Sequence, residues 1–147
     1  MKLTHELTIA RNREAVWNAF DNPDNLRKWQ PTLQSFEHQE GTKGQPGAVS
    51  VLTYEENGKR IVMTETITVR REPEEFAGTY DNAMAINIIR NTFTALDAGR
   101  TRWAMESEFL FKTFLYRVFA PLIRGLVDRR IKTDMERFKQ LMENGAL

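Results

Sequence analysis

At 147 residues, 41% hydrophobic and 28% charged, the chain has the size and composition of one globular domain able to bury a substantial core. A formal net charge of +1 excludes a global electrostatic drive towards nucleic acid or an anionic membrane, so only local basic patches are left to attract either. The absence of cysteine excludes disulfides and thiolate metal sites, and it fits a reducing compartment.

The opening stretch, Met1 to Glu14, holds no continuous apolar run of the kind a secretory signal needs. Nowhere do the roughly 18 apolar residues of a membrane span follow one another. A cytoplasmic location is the expectation. Leu3, His5, Leu7 and Ile9 alternate with Thr4, Glu6 and Thr8, which predicts a half-buried strand. Asn12 then caps a short helix, with Glu14 in its first turn and Val16, Trp17 and Phe20 on its apolar side. Asn22-Pro23 repeats the signal and starts a second short helix through about Lys28, which Pro31 ends.

From there to Phe111 the chain reads as strands: Leu33–Gln39, Ala48–Glu55, Arg60–Arg70, Phe76–Tyr80, Ala85–Leu96 and Arg100–Phe111. Gly41, Gly44, Pro46 and Gly47 mark a mobile connection, and Asn57-Gly58 a two-residue hairpin whose turn positions favour φ > 0. The β-branched run Thr64, Thr66, Ile67, Thr68 and Val69 resists helix. Glu72 to Glu75 and Asp97-Ala98-Gly99 are turns. Short connections without intervening helices give an antiparallel meander.

The period then changes. Val127, Ile131, Met135, Phe138 and Met142 carry the three-to-four spacing of an amphipathic helix running from about Pro121 to Met142, with Asp128, Arg129, Lys132 and Glu136 on its wet face. All of Val127, Ile131, Met135 and Phe138 should be mostly buried. Just upstream, Phe114, Leu115, Val118, Phe119, Leu122 and Ile123 cover nearly the whole circumference, which predicts burial on more than one side. Pro121 starts or kinks the long helix. The expected fold is α+β: a curved seven-stranded antiparallel sheet wrapped around a long C-terminal helix, with two short helices after the first strand.

Glu65 is the most informative residue. It shares a strand face with Ile61, Met63, Ile67 and Val69, so a carboxyl group projects into the interior. Such a group needs a partner or a raised pKa. It either anchors a ligand or acts as a general acid or base, or it is held by an internal salt bridge to Arg90, Arg124 or Arg130. On the last strand Trp103, Met105, Ser107 and Phe109 share the face that should look at the helix. Ser107 touches a ligand or bonds within the protein. Met63, Met105 and Met135 suit a permissive pocket or an ordinary core. On the preceding strand two registers are open: Asn87, Ile89, Asn91 and Phe93 face inward, making Asn91 a second polar contact, or Ile86, Ile88, Arg90 and Thr92 do. His5 reads as a hydrogen-bonded core or edge residue and His38 as solvated. No metal-ligand spacing occurs, nor any GxSxG, GxGxxG or P-loop motif. Arg124, Arg129, Arg130 and Lys132 form a solvated helix face, unless Arg124 or Arg130 reaches Glu65.

Several short matches add to this: Ile9-Ala10, Glu14-Ala15-Val16-Trp17, Phe20-Asp21, and Leu26 to Pro31; then Gly44-Gln45-Pro46-Gly47, the Glu65 strand, Thr101-Arg102-Trp103 and Pro121. In these the whole chain resembles the SRPBCC or START-like helix-grip superfamily, in its polyketide cyclase/dehydrase-like branch. The resemblance implies one helix-grip domain over residues 1–147. It also implies a cavity that binds an apolar small molecule: lipid-like, polyketide-like or polycyclic. Members of that superfamily also include cyclases and dehydratases, for which Glu65 would be the acid/base, and activators of a chaperone ATPase. The expected ligand contacts are Trp29, Met63, Glu65, Ile67, Asn91, Trp103, Met105, Ser107, Phe109, Leu122 and Leu126, with no metal and no cofactor. The expected partner is the apolar ligand, not nucleic acid, for a chain that is monomeric or homodimeric.

Overall fold

The computed structural model describes residues 1–147. Strand β1 (Lys2–Ile9) is followed by α1 (Arg13–Asp21), a 3₁₀ turn (Pro23–Asn25) and α2 (Leu26–Trp29). Six strands come next: β2 (Leu33–Glu40), β3 (Val49–Glu56), β4 (Lys59–Arg71), β5 (Glu75–Asp81), β6 (Ala85–Asp97) and β7 (Arg100–Phe111). A short helix α3 (Phe114–Val118) precedes the long α4 (Ala120–Glu143). The strands form one antiparallel sheet in the order β1-β7-β6-β5-β4-β3-β2, so the meander from β2 to β7 is closed by β1 returning to the free edge of β7.

Local chemistry accounts for the boundaries. The Asn12 side chain accepts from the Ala15 amide at 2.8 Å, and Asn22 caps the 3₁₀ turn through the Asp24 amide. Asn57 at φ 52° and Gly58 at φ 76° make the β3–β4 hairpin. Pro121 sits in the first turn of α4, where a missing amide hydrogen costs nothing.

One irregularity changes the inner face. A bulge between Ile67 and Val69 lets both Ile67 and Arg70 point inward, whereas strict alternation predicts Val69. Arg70 pairs with Asp21 at 2.6 Å, and its guanidinium lies 5.4 Å from the Trp17 ring. Gly78 faces this bulge, where a Cβ would lie 2.9 Å from the Thr66 carbonyl oxygen, so no larger residue fits.

The core gathers at one end. Ile9, Val16, Trp17, Trp29, Phe93 and Trp103 pack with Met135, Phe138 and Met142 from the C-terminal half of α4. Val127 and Ile131 are only half-buried. The apolar stretch before them is not buried as its composition predicts. Phe114, Leu115, Val118, Phe119, Leu122 and Leu126 are 49–77% exposed. The reason is that α1 and α2 supply partners for only the far half of α4.

Candidate functional site

Helix α4 is fastened along both flanks. On the β1 side, His5 Nε2 meets Asp128 Oδ1 at 2.7 Å, Arg124 donates to the Lys2 carbonyl at 2.8 Å, and Lys139 donates to the Thr8 carbonyl at 2.6 Å. On the other side, Arg137 donates to the Trp29 carbonyl at 3.1 Å, and Arg130 donates to Glu56 at 3.0 Å while stacking over Tyr54. Between these flanks the helix stands off the middle strands. The space left has a volume of about 1470 Å³, above the roughly 300–1,000 Å³ common for small-molecule sites. Its deep walls are apolar, with Trp29, Leu52, Ile67, Phe76, Ile89 and Met105 among them.

One polar row crosses that apolar floor. The strand register places His38 beside Ser50, Ser50 beside Glu65, Glu65 beside Tyr80, Tyr80 beside Asn87, and Asn87 beside Phe109. Residues opposite one another on antiparallel strands share a face, so these side chains line up across six strands. All six line the cavity. The Tyr80 hydroxyl donates to Glu65 Oε2 at 2.7 Å. Glu65 is 7% exposed and no cation pairs with it. The three arginines that were candidates are occupied elsewhere: Arg90 by Glu75, Arg124 by the Lys2 carbonyl, and Arg130 by Glu56. The salt-bridge alternative is therefore corrected to a neutral donor. Burial raises the Glu65 pKa above the ordinary carboxylate range, and the bond from Tyr80 offsets this only partly. The Tyr80 hydroxyl is itself pushed well up by burial and by the neighbouring carboxyl. Asn87 Oδ1 is buried without a protein partner.

This carboxyl makes stability pH-dependent with a definite sign. The folded state holds the Glu65 proton to higher pH than the unfolded chain does. Stability is therefore full below the ordinary carboxylate value and falls as pH rises through the raised folded one. Asp134 is shifted the same way by its own burial, so the contribution of Glu65 is read as a difference between proteins. Glu65→Gln should match the parent at about pH 4 and be the more stable of the two at about pH 7. Urea melts at the two pH values check this. An equal gap at both would mean that the carboxyl is not the source.

The structure selects the register of β6 in which Asn87, Ile89, Asn91 and Phe93 face inward. Of the expected contacts, Trp29, Met63, Glu65, Ile67, Asn91, Met105, Phe109 and Leu126 do line the cavity. Three do not. Trp103 is fully buried in the aromatic core. Ser107 is buried between Leu3 and Ile89 with its hydroxyl unpartnered. Leu122 is 66% exposed in the first turn of α4 and stays outside the cavity lining. Asn91 is committed internally: it donates to the Phe76 carbonyl at 3.4 Å and accepts from Trp103 Nε1 at 3.0 Å. Sequence reasoning missed Tyr80, Asn87, Ser50 and His38 as wall residues. The alternation Phe76, Gly78, Tyr80, paired back onto Glu65 through the turn at Pro73, was the available signal.

A curved antiparallel sheet held around one long helix, with an apolar cavity between them, defines the helix-grip class. Within it, the chain belongs to the family described as polyketide cyclase / dehydrase and lipid transport, whose model it matches over residues 1–143. No curated protein is a sequence match to it. Among solved structures it is similar to a START superfamily protein from Mycobacterium smegmatis, at 13% identity, 97% coverage of both chains and a TM-score of 0.82. It is also similar to the Zhui aromatase/cyclase from a Streptomyces species, at 16% identity, 97% coverage of this chain, 93% of the other and a TM-score of 0.81. Ara h 8.0201 follows at 20% identity, 97% coverage of both chains and a TM-score of 0.78.

Proposed function

We propose that the protein binds an apolar small molecule with one polar edge, held between the sheet and α4. The single observation that carries this reading is a buried Glu65 carboxyl that no cation pairs with, held only by the Tyr80 hydroxyl at 2.7 Å on the floor of an otherwise apolar cavity. The carboxyl keeps an oxygen free of protein donors for a ligand group, and Asn87 Oδ1, opposite Tyr80 on the next strand, asks for a donor. An apolar body would lie against Ile67, Ile89, Met105 and Trp29, leaving hydroxyl or carbonyl groups for the polar row. Membership in a family described by polyketide cyclisation, dehydration and lipid transport supports an apolar ligand.

A second reading, acid catalysis of the cyclase or dehydratase kind, draws on the same carboxyl. A general acid must keep its proton near working pH, and burial favours that at Glu65. Native mass spectrometry of freshly purified protein tests the first reading: a co-purified apolar molecule is expected. Tyr80→Phe should weaken its retention about three- to tenfold by removing one hydrogen bond from the polar row. Retention unchanged in both Tyr80→Phe and Glu65→Gln would remove the polar row from the site. Loss of turnover in Glu65→Gln with binding kept would favour the enzyme.

A further inference from the structure

The helices at the cavity mouth leave a surface that ligand binding does not explain. In α3 and the first turns of α4, Phe114 is 77% exposed, Leu115 61%, Leu122 66% and Leu126 61%. Leu122, Leu126 and Arg129 follow at intervals of four and three, so they form one exposed stripe on α4, and Leu126 and Arg129 also border the cavity. That stripe continues into the cavity, whose rim includes Ile123, Leu126 and Val127. The same segment is strongly basic. Residues 112–132 hold six cationic side chains (Lys112, Arg117, Arg124, Arg129, Arg130 and Lys132) and one acidic, Asp128. Lys112 is paired with Asp81, Arg130 with Glu56 and Lys132 with Asp128, which leaves the charges of Arg117, Arg124 and Arg129 uncompensated by a carboxylate on this face. Arg117 and Arg129 are exposed and make no salt bridge, so their charge is available.

We infer that this face lies on an anionic lipid surface, with α3 and the start of α4 in the membrane plane and the cavity opening towards the bilayer. Exposed Phe and Leu beside cationic side chains are what an interfacial helix presents, with apolar groups entering the acyl boundary and charges meeting the headgroups. No helix here is long and apolar enough to cross a membrane, so the contact is peripheral. A second copy of the chain fits less well. A two-fold contact through this patch would set the unpaired Arg117 and Arg129 of two copies against each other. This inference does not depend on the identity of the ligand, only on a mouth beside the patch.

The test is co-sedimentation with vesicles of phosphatidylcholine containing 30% phosphatidylglycerol, against vesicles of phosphatidylcholine alone. Binding to the anionic vesicles is expected, at least tenfold weaker to the neutral ones, and weakened by 0.5 M salt. Arg117→Glu with Arg129→Glu should reduce it at least tenfold, and so should Leu115→Ser with Leu122→Ser. None of these four residues holds a core contact, and circular dichroism verifies the fold of each variant. Absence of binding to anionic vesicles, or binding undiminished in both folded variants, overturns the inference. So does a concentration-dependent dimer, seen by sedimentation velocity, that Leu115→Ser with Leu122→Ser dissociates. Retention of the co-purified ligand by these variants would keep the cavity reading separate from this one.

Discussion

Replacing Ile89 by Trp should weaken binding of an apolar fluorescent probe at least tenfold while leaving the far-ultraviolet circular dichroism unchanged. Ile89 sits at the middle of β6 on the inner face, lines the cavity and is only half-buried. Its neighbours across the strands are Gly78, which has no side chain, and Ser107. An indole at this position has no bulky cross-strand neighbour to collide with and only one way to extend, into the space beneath α4. Room in the cavity is thereby removed without strain in the core, where overpacking would cost about 1–3 kcal/mol. Leu126→Trp is the informative contrast. Leu126 also borders the cavity, but at 61% exposure it belongs to the rim. An indole there can turn to solvent, so less than a threefold change is expected. Titration of the probe into both variants checks the pair. Undiminished binding in a folded Ile89→Trp protein would place the probe outside the cavity.

The contrast shows where periodicity reads a structure and where it does not. Alternation put Glu65 and Ile67 on the inner face of β4, and the three-to-four spacing put Met135 and Phe138 under α4; both are buried as expected. These are local properties, each fixed by one element's own geometry. Arg70 shows the first limit. A one-residue bulge reverses the face of everything after it, and no composition signal marks the bulge except the glycine opposite, Gly78. Leu122 shows the second. An apolar circumference predicts burial only where another element is near enough to provide it, and which half of α4 meets α1 and α2 is a property of the whole fold. Tyr80 shows a third. Its strand was legible, yet its role depends on the partner across the ladder, Glu65, and hence on a register that the turn at Pro73 sets. The closure of sheet on helix followed from the element order, since one terminal helix is the only element long enough to cover a seven-stranded sheet, and the family resemblance agreed with it. The polar row across the sheet needed the strand order itself.

Trp103 separates wall from contact, and Trp103→Ala should be the most destabilising single change of those considered. Its side chain is fully buried where β7 meets β6, α1, α2 and α4. The rings of Phe138, Trp29 and Phe20 approach it at centroid distances of 5.1, 5.7 and 5.7 Å, and Phe93 stacks at 6.0 Å. Edge-to-face and stacked pairs at such distances add about 0.5–1.5 kcal/mol each beyond the area they bury, although such contributions are not additive. Removing the indole leaves a hole that rigid aromatic neighbours cannot close, at a cost of about 3–5 kcal/mol. For a chain of this length that corresponds to a fall of roughly 10 °C in Tm. Trp103→Phe keeps most of the volume but orphans Asn91 Oδ1, so about 1–3 kcal/mol is expected. Denaturant unfolding measures both. The decisive readout is probe affinity in Trp103→Phe below its unfolding transition. Because Trp103 is fully buried next to Met105 along β7 and is not among the residues that line the cavity, affinity should stay within about twofold of the parent protein. A loss of tenfold in that folded variant would mean that the indole meets the ligand, and that the aromatic core opens when the cavity is filled.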